Sequence, residues 1–152
     1  MRQLLIKTLV TILLVITLIL LVMFNISYFI GGPMLLNRLA DQQIMQNMER
    51  KEKKTSCALV SRFADDEVYY VALCDNYYIF YNNDPTVLAE RHQDTLNVAK
   101  VIDLYANIYD LADATPSLGY YHKKPVYVLD SDQFELLIDY DSYEVLRYYQ
   151  KG

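Results

Sequence analysis

Two histidines, two cysteines and three acidic turns carry whatever bond-making chemistry this chain could offer. His92 lies near the expected start of a helix and His122 in a loop beside Lys123-Lys124, and neither has a partner at the spacing of a metal site or a catalytic triad. The sequence has no HExxH, CxxC or GxSxG motif, and its four glycines form no phosphate-cradling loop. The clusters Asp65-Asp66-Glu67, Asp130-Ser131-Asp132 and Asp139-Tyr140-Asp141 invite a calcium reading. They lack the central glycine and terminal glutamate of a calcium loop, so they read better as turn-forming, solubilising aspartates. No catalytic residue, metal or cofactor is expected, and the chain reads as a non-enzyme.

Cys57 and Cys74 admit two readings. If Asp65-Asp66 is a two-residue turn, facing residues have numbers summing to 131, and these cysteines face each other. They then sit on a non-hydrogen-bonded rung, where Cα atoms approach to about 4.5 Å and a bridge can form. A one-residue slip undoes this, leaving two reduced, apolar strand residues.

The fifteen tyrosines are the most unusual feature of the composition. Around EVYYVALCDNYYIFYNND, alternation sets Tyr70 against Tyr69 and Val71, and Tyr77, Ile79 and Tyr81 against Tyr78 and Phe80, so both faces of the hairpin are aromatic or apolar. One face can be core. The other is either covered by the rest of the molecule or offered to a partner, since tyrosine adds contact area with a polar tip. Tyr69, Tyr78 and Tyr148 are the residues expected on a partner-binding surface.

These residues need a scaffold, and the chain starts with a different kind of segment. From Thr8 to Ile30 there are 23 residues without a charge. About 20 helical residues cover a bilayer core of roughly 30 Å, so an uncleaved transmembrane anchor over residues 1–32 is expected, in preference to a signal peptide with its shorter apolar centre. Arg2 and Lys7 precede the span, which places the amino terminus in the cytoplasm and the remainder outside. All 19 Asp and Glu lie beyond it, against 12 of the 14 Lys and Arg, a net of −7. Such a surface repels nucleic acid and anionic lipid.

Gly31-Gly32-Pro33 ends the span, and Met34–Lys54 reads as an amphipathic stalk or packing helix rather than one lying on the bilayer. Strands are expected over Ser56–Ala64, Val68–Cys74 and Tyr77–Tyr81. Asp94 caps a helix running to about Ala112, and three more strands cover Val126–Leu129, Phe134–Asp139 and Val145–Tyr149. With Tyr70 laid over Tyr127, the turns, aromatics and element order of the halves agree. The expected fold is therefore α+β: an anchor, then two tandem α-β-β-β lobes with antiparallel sheets, over 33–84 and 85–152.

The second half, PVYVLDSDQFELLIDYDSYEVL, resembles the PepSY pattern. Asp139, Glu144 and Leu146 match its aspartate, glutamate and apolar positions, while Ser142-Tyr143 stands in place of its Thr-Gly turn. The whole layout of span, helix, tyrosine-rich hairpin, helix and PepSY-like ending resembles the TseB-like (YpmB-like, formerly DUF5590) proteins of Gram-positive bacteria. That resemblance implies paired cystatin-like lobes on a single-pass cell-membrane protein. It also implies an extracytoplasmic, non-catalytic regulator of cell-wall elongation acting through a penicillin-binding protein. A PepSY-type inhibitor or sensor of a secreted peptidase is the alternative.

Overall fold

The computed structural model describes residues 2–26 and 32–152. They fall into two compact units, residues 1–41 and 42–152. In the first, α1 spans Arg2–Ile26. Its large apolar side chains from Ile12 to Phe24 are all exposed, between 49% and 68%. Among the described residues no helix is long and apolar enough to cross a membrane. The end of the expected span, residues 27–30, lies outside the described residues. Helix α2 covers Gly32–Glu52, close to the expected Met34–Lys54.

The second unit is α+β, with two antiparallel four-stranded sheets in simple meander order. The first comprises β1 (Ala58–Ala64), β2 (Val68–Cys74), β3 (Tyr77–Asn82) and β4 (Val87–His92). The second comprises β5 (Thr115–Tyr121), β6 (Lys124–Asp130), β7 (Phe134–Asp139) and β8 (Val145–Gln150). Each lobe thus has one strand more than expected, and the first sheet runs on past Asp84 to His92. β4 reads VLAERH, which favours a helix as much as a strand. β5 reads TPSLGYY, with a proline and a glycine that interrupt any strand pattern. Both are edge strands, where missing donors and weak propensity are tolerated.

The two sheets repeat at a spacing of 57 residues. β1 and β5 begin at 58 and 115, and β3 and β7 at 77 and 134. Tyr70 pairs with Tyr81 as Tyr127 pairs with Ile138. A bulge falls after Phe80 on one sheet and after Leu137 on the other, leaving Leu88 and Leu146 as the extra residues of β4 and β8. Bulges on outer strands twist the exposed edge away from further pairing.

The register at the cysteines results from two offsetting departures. The β1–β2 turn has three residues, with Ala64 opposite Val68, so pairs near it sum to 132. A bulge between Leu59 and Ser61 then restores 131. Cys57 and Cys74 face each other with Cα atoms 4.2 Å apart and form a disulfide. On this face Met48 and Ile44 of α2 pack over Tyr70, Ala72, Cys74, Ile79 and Tyr81. Glu49 accepts a hydrogen bond from the Cys57 N–H at 3.1 Å, and Lys54 pairs with Glu90 of β4 at 3.2 Å.

The opposite face of the first sheet, with Val71, Tyr78 and Phe80, meets Tyr120, Tyr127, Leu136, Ile138 and Tyr140 of the second in one shared core. Helix α3, Val98–Tyr105, covers that core with Val101. It is shorter than the expected Asp94–Ala112. Gln93–Thr95 forms a separate 3₁₀ turn, Asn97 rather than Asp94 caps α3, and the Asn97 side chain accepts the Lys100 N–H. Tyrosine hydroxyls fasten the helix to the second sheet: Tyr127 accepts from the Asn97 N–H, and Tyr105 donates to the Tyr143 carbonyl at 2.6 Å. Tyr143, in the turn between β7 and β8, has a φ of 61°, a conformation that favours glycine. The buried Asp139 organises this β7–β8 turn by accepting from the N–H groups of Asp141 and Ser142.

Candidate functional site

The three tyrosines expected on one surface lie in three settings. Tyr78 is buried in the shared core at 7% exposure. Strand alternation put it on the face opposite Tyr77, and the second sheet covers that face, so Tyr78 is mainly a core residue whose edge lines a cavity of about 160 Å³ with Val60 and Leu96. Tyr148 is 47% exposed, and Tyr69 is half-buried beside the second lobe.

Tyr148 belongs to an aromatic tier on the outside of the second lobe. β8 sets its ring against Tyr109 at 5.2 Å between centroids and Phe134 at 5.9 Å, and Tyr109 continues to Tyr105 at 6.2 Å. The turn after α3 supplies Tyr109 and leaves Ile108 exposed at 66%, with Leu104 of α3 at 49%. Asp110, Asp113 and Asp132 line a cavity of about 100 Å³ beside Phe134. Phe134 is buried, so the tier presents outward the half-exposed Tyr148 and part of Tyr109, with carboxylates beside it, and sequence alternation found only Tyr148 in it.

Tyr69 lies in a groove of about 380 Å³ lined by both lobes. Glu67, Tyr69, Asn82 and Leu88 come from the first sheet, and Tyr120, His122 and Lys123 from the second. The Tyr69 and Tyr120 rings are 5.3 Å apart and tilted by 50°. Burial, and then Glu67 and Asp66 nearby, raise the Tyr69 hydroxyl pKa, while burial raises that of Tyr120, so both remain protonated donors at neutral pH. His122 and Lys123 form a two-residue turn with φ of 46° and 66°, a conformation more usual for Asn-Gly. The groove has an apolar floor and charges of both signs at its rim. Its second wall belongs to a strand the sequence did not reveal.

The histidines stay apart. His92 accepts the Asp94 N–H and meets the Tyr77 ring edge-on, and His122 stacks on Tyr121 at 4.0 Å. Among the described residues no group of three His, Cys, Asp or Glu is placed to hold a metal ion. No family model, no curated protein and no solved structure matches this chain.

Proposed function

We propose that this protein is a single-pass, extracytoplasmic regulator that works by docking to another envelope protein, with a penicillin-binding protein as the partner implied by the family resemblance. Two PepSY-like lobes form the docking body, and the segment from Thr8 to Ile30 holds it at the membrane. The observation that carries the reading is Tyr148, a half-exposed ring stacked on the partly buried Tyr109 over the buried Phe134, an aromatic side chain of the kind used for protein contact. The disulfide suits a compartment outside the reducing cytoplasm. The exposed apolar side chains of α1 suit a lipid surround.

Crosslinking in intact Gram-positive cells, followed by mass spectrometry, tests the reading. The expected result is a penicillin-binding protein captured by the natural chain and lost with Tyr148→Ala, together with a C-terminal reporter that is active only outside the cell. A reporter active in the cytoplasm would overturn it. So would a Tyr148→Ala protein that captures the same partner undiminished.

A further inference from the structure

The internal repeat supplies a reference for the Tyr69 groove. At the 57-residue spacing, Glu67 and Asn82 correspond to Lys124 and Asp139, Tyr120 corresponds to Phe63, and the turn His122-Lys123 corresponds to Asp65-Asp66. The pairing agrees, since Tyr69 faces Asn82 as Val126 faces Asp139. Around Val126 of the second lobe this place is closed by the protein's own groups, some of them from the first lobe. Lys124 Nζ lies 2.7 Å from Asp139, Arg147 lies 2.7 Å from Asp65, and Phe63 fills the floor against Val126 and Val128.

In the first lobe the same positions carry groups that cannot close on one another. Asn82 stands where Asp139 would pair a cation, and the acid Glu67 has replaced Lys124. Ala89, opposite Phe80 as Arg147 is opposite Leu137, stands where an arginine would reach across to the turn, and that turn is now basic. Among the described residues Glu67, His122 and Lys123 make no ion pair. Around Val126 both charged positions are thus satisfied by groups of the protein itself, one within the second lobe and one across to the turn of the first. The groove around Tyr69 leaves an anion and a cationic turn on either side of an apolar floor with two tyrosine hydroxyls.

We infer that the groove lined by Glu67, Tyr69, Leu88, Tyr120 and Lys123 is a binding site for a short zwitterionic peptide. The peptide's ammonium meets Glu67, its carboxylate meets Lys123 and His122, and its side chain lies on Tyr69 and Leu88. The volume of about 380 Å³ fits a ligand of that size. Charge complementarity excludes a purely anionic or purely cationic ligand, because each would meet one like charge.

The test uses the ¹⁵N-labelled full chain in detergent micelles, titrated with tri-alanine bearing free termini. The expected result is saturable amide shifts at Glu67, Tyr69, Leu88, Tyr120 and Lys123 at millimolar concentrations. Acetylating the amine or amidating the carboxylate should weaken binding about tenfold, the loss of one charge-assisted contact. Lys123→Ala should abolish the difference made by amidation, and Glu67→Gln the difference made by acetylation. The double variant Glu67→Lys with Asn82→Asp rebuilds the closed arrangement of the other lobe and should remove binding while keeping a native spectrum. The inference is overturned if the groove amides do not move at tens of millimolar peptide. It is equally overturned if doubly capped peptide moves them as strongly as the free form, or if the rebuilt ion pair leaves binding intact.

Discussion

Phe63 and Tyr120, 57 positions apart, each pack against the other's sheet. Phe63 leaves β1 to sit among Val126, Val128 and Leu137, while Tyr120 leaves β5 to meet Tyr69 and Phe80. This exchange joins the two repeats into one unit. Each sheet has only one helix to cover it, and a four-stranded sheet with a bare apolar face is not stable in water. By trading aromatic residues across their first strands, the lobes cover each other.

The exchange depends on the absence of a side chain at Gly119. A Cβ there would lie 2.8 Å from Phe63 Cγ and 3.0 Å from Val128 Cγ2, both on buried residues. Gly119→Ala should therefore destabilise by about 1–3 kcal/mol, the usual cost of overpacking. Combined with Phe63→Leu, the alanine should cost less than it does alone, with a coupling of at least about 0.5 kcal/mol. Denaturant midpoints of the two single variants and the double variant decide this, and strict additivity would remove the contact from the account.

The disulfide closes a loop across a sequence separation of 17, which in the chain-entropy picture restricts the unfolded state by roughly 3 kcal/mol. Cys57→Ala with Cys74→Ala should lower the urea midpoint by a corresponding amount. Reductant should lower the midpoint of the natural protein and leave the double variant unmoved. A natural protein whose thiols titrate under denaturation before any reductant is added would refute the bridge.

The central strands β2, β3, β6 and β7 were legible because dense Val, Ile, Leu, Tyr and Phe survive where a strand is covered, and β1 and β8, although outer strands, still carry apolar or aromatic runs. The outer strands β4 and β5 were not. Glu90, Arg91, Pro116 and Ser117 describe an edge that needs neither high propensity nor a full ladder. The cysteine pairing was readable only because the bulge between Leu59 and Ser61 compensates for the longer turn, and neither departure has a mark in the sequence. The groove was half legible. Tyr69 stood out by composition, but its opposite wall of Tyr120, His122 and Lys123 follows from how the sheets meet, which no local pattern encodes.

Tyr143 holds a left-handed conformation where glycine would be unstrained, and its ring and carbonyl offset the cost. Lys100 Nζ lies 3.8 Å from the ring centroid, and the Tyr105 hydroxyl donates to the carbonyl. Tyr143→Ala loses the ring and keeps the strain, whereas Tyr143→Gly loses the ring and releases it. The glycine variant should be the more stable of the two by about 1 kcal/mol. Thermal unfolding of the pair is the check, and an alanine variant equal to or above the glycine variant contradicts the strain.

Tyr148 and Tyr78 should separate surface from core. Tyr78→Ala opens a cavity beneath both sheets and should cost about 3–5 kcal/mol, as truncation of a buried aromatic does. Tyr148→Ala removes a half-exposed ring and should cost under about 1.5 kcal/mol, the worth of its aromatic contacts. Only the second can report on partner binding without unfolding the protein. Circular dichroism melts of both variants settle the assignment, and comparable losses would place Tyr148 in the core as well.

Asp139 should govern the acid limb of stability. Burial alone would push its carboxyl pKa up. The Lys124 ammonium at 2.7 Å and the N–H groups of Ser142 and Asp141 outweigh burial and hold the pKa below its ordinary value. A carboxyl with a depressed folded pKa stabilises the protein above its unfolded pKa of about 3.9, and this stabilisation disappears as pH falls through the lower folded value. Asp139→Asn removes the titration and returns an N–H₂ to the turn, so it should be weaker than the natural protein at neutral pH and should lose less stability on acidification. Asp139→Ala leaves two backbone N–H groups without their acceptor and should cost about 1–3 kcal/mol at neutral pH. Urea midpoints from neutral pH down to about pH 3 test both. Parallel acid limbs for the natural protein and Asp139→Asn would show that another carboxylate sets the limb, and that Lys124 serves the turn only as a surface cation.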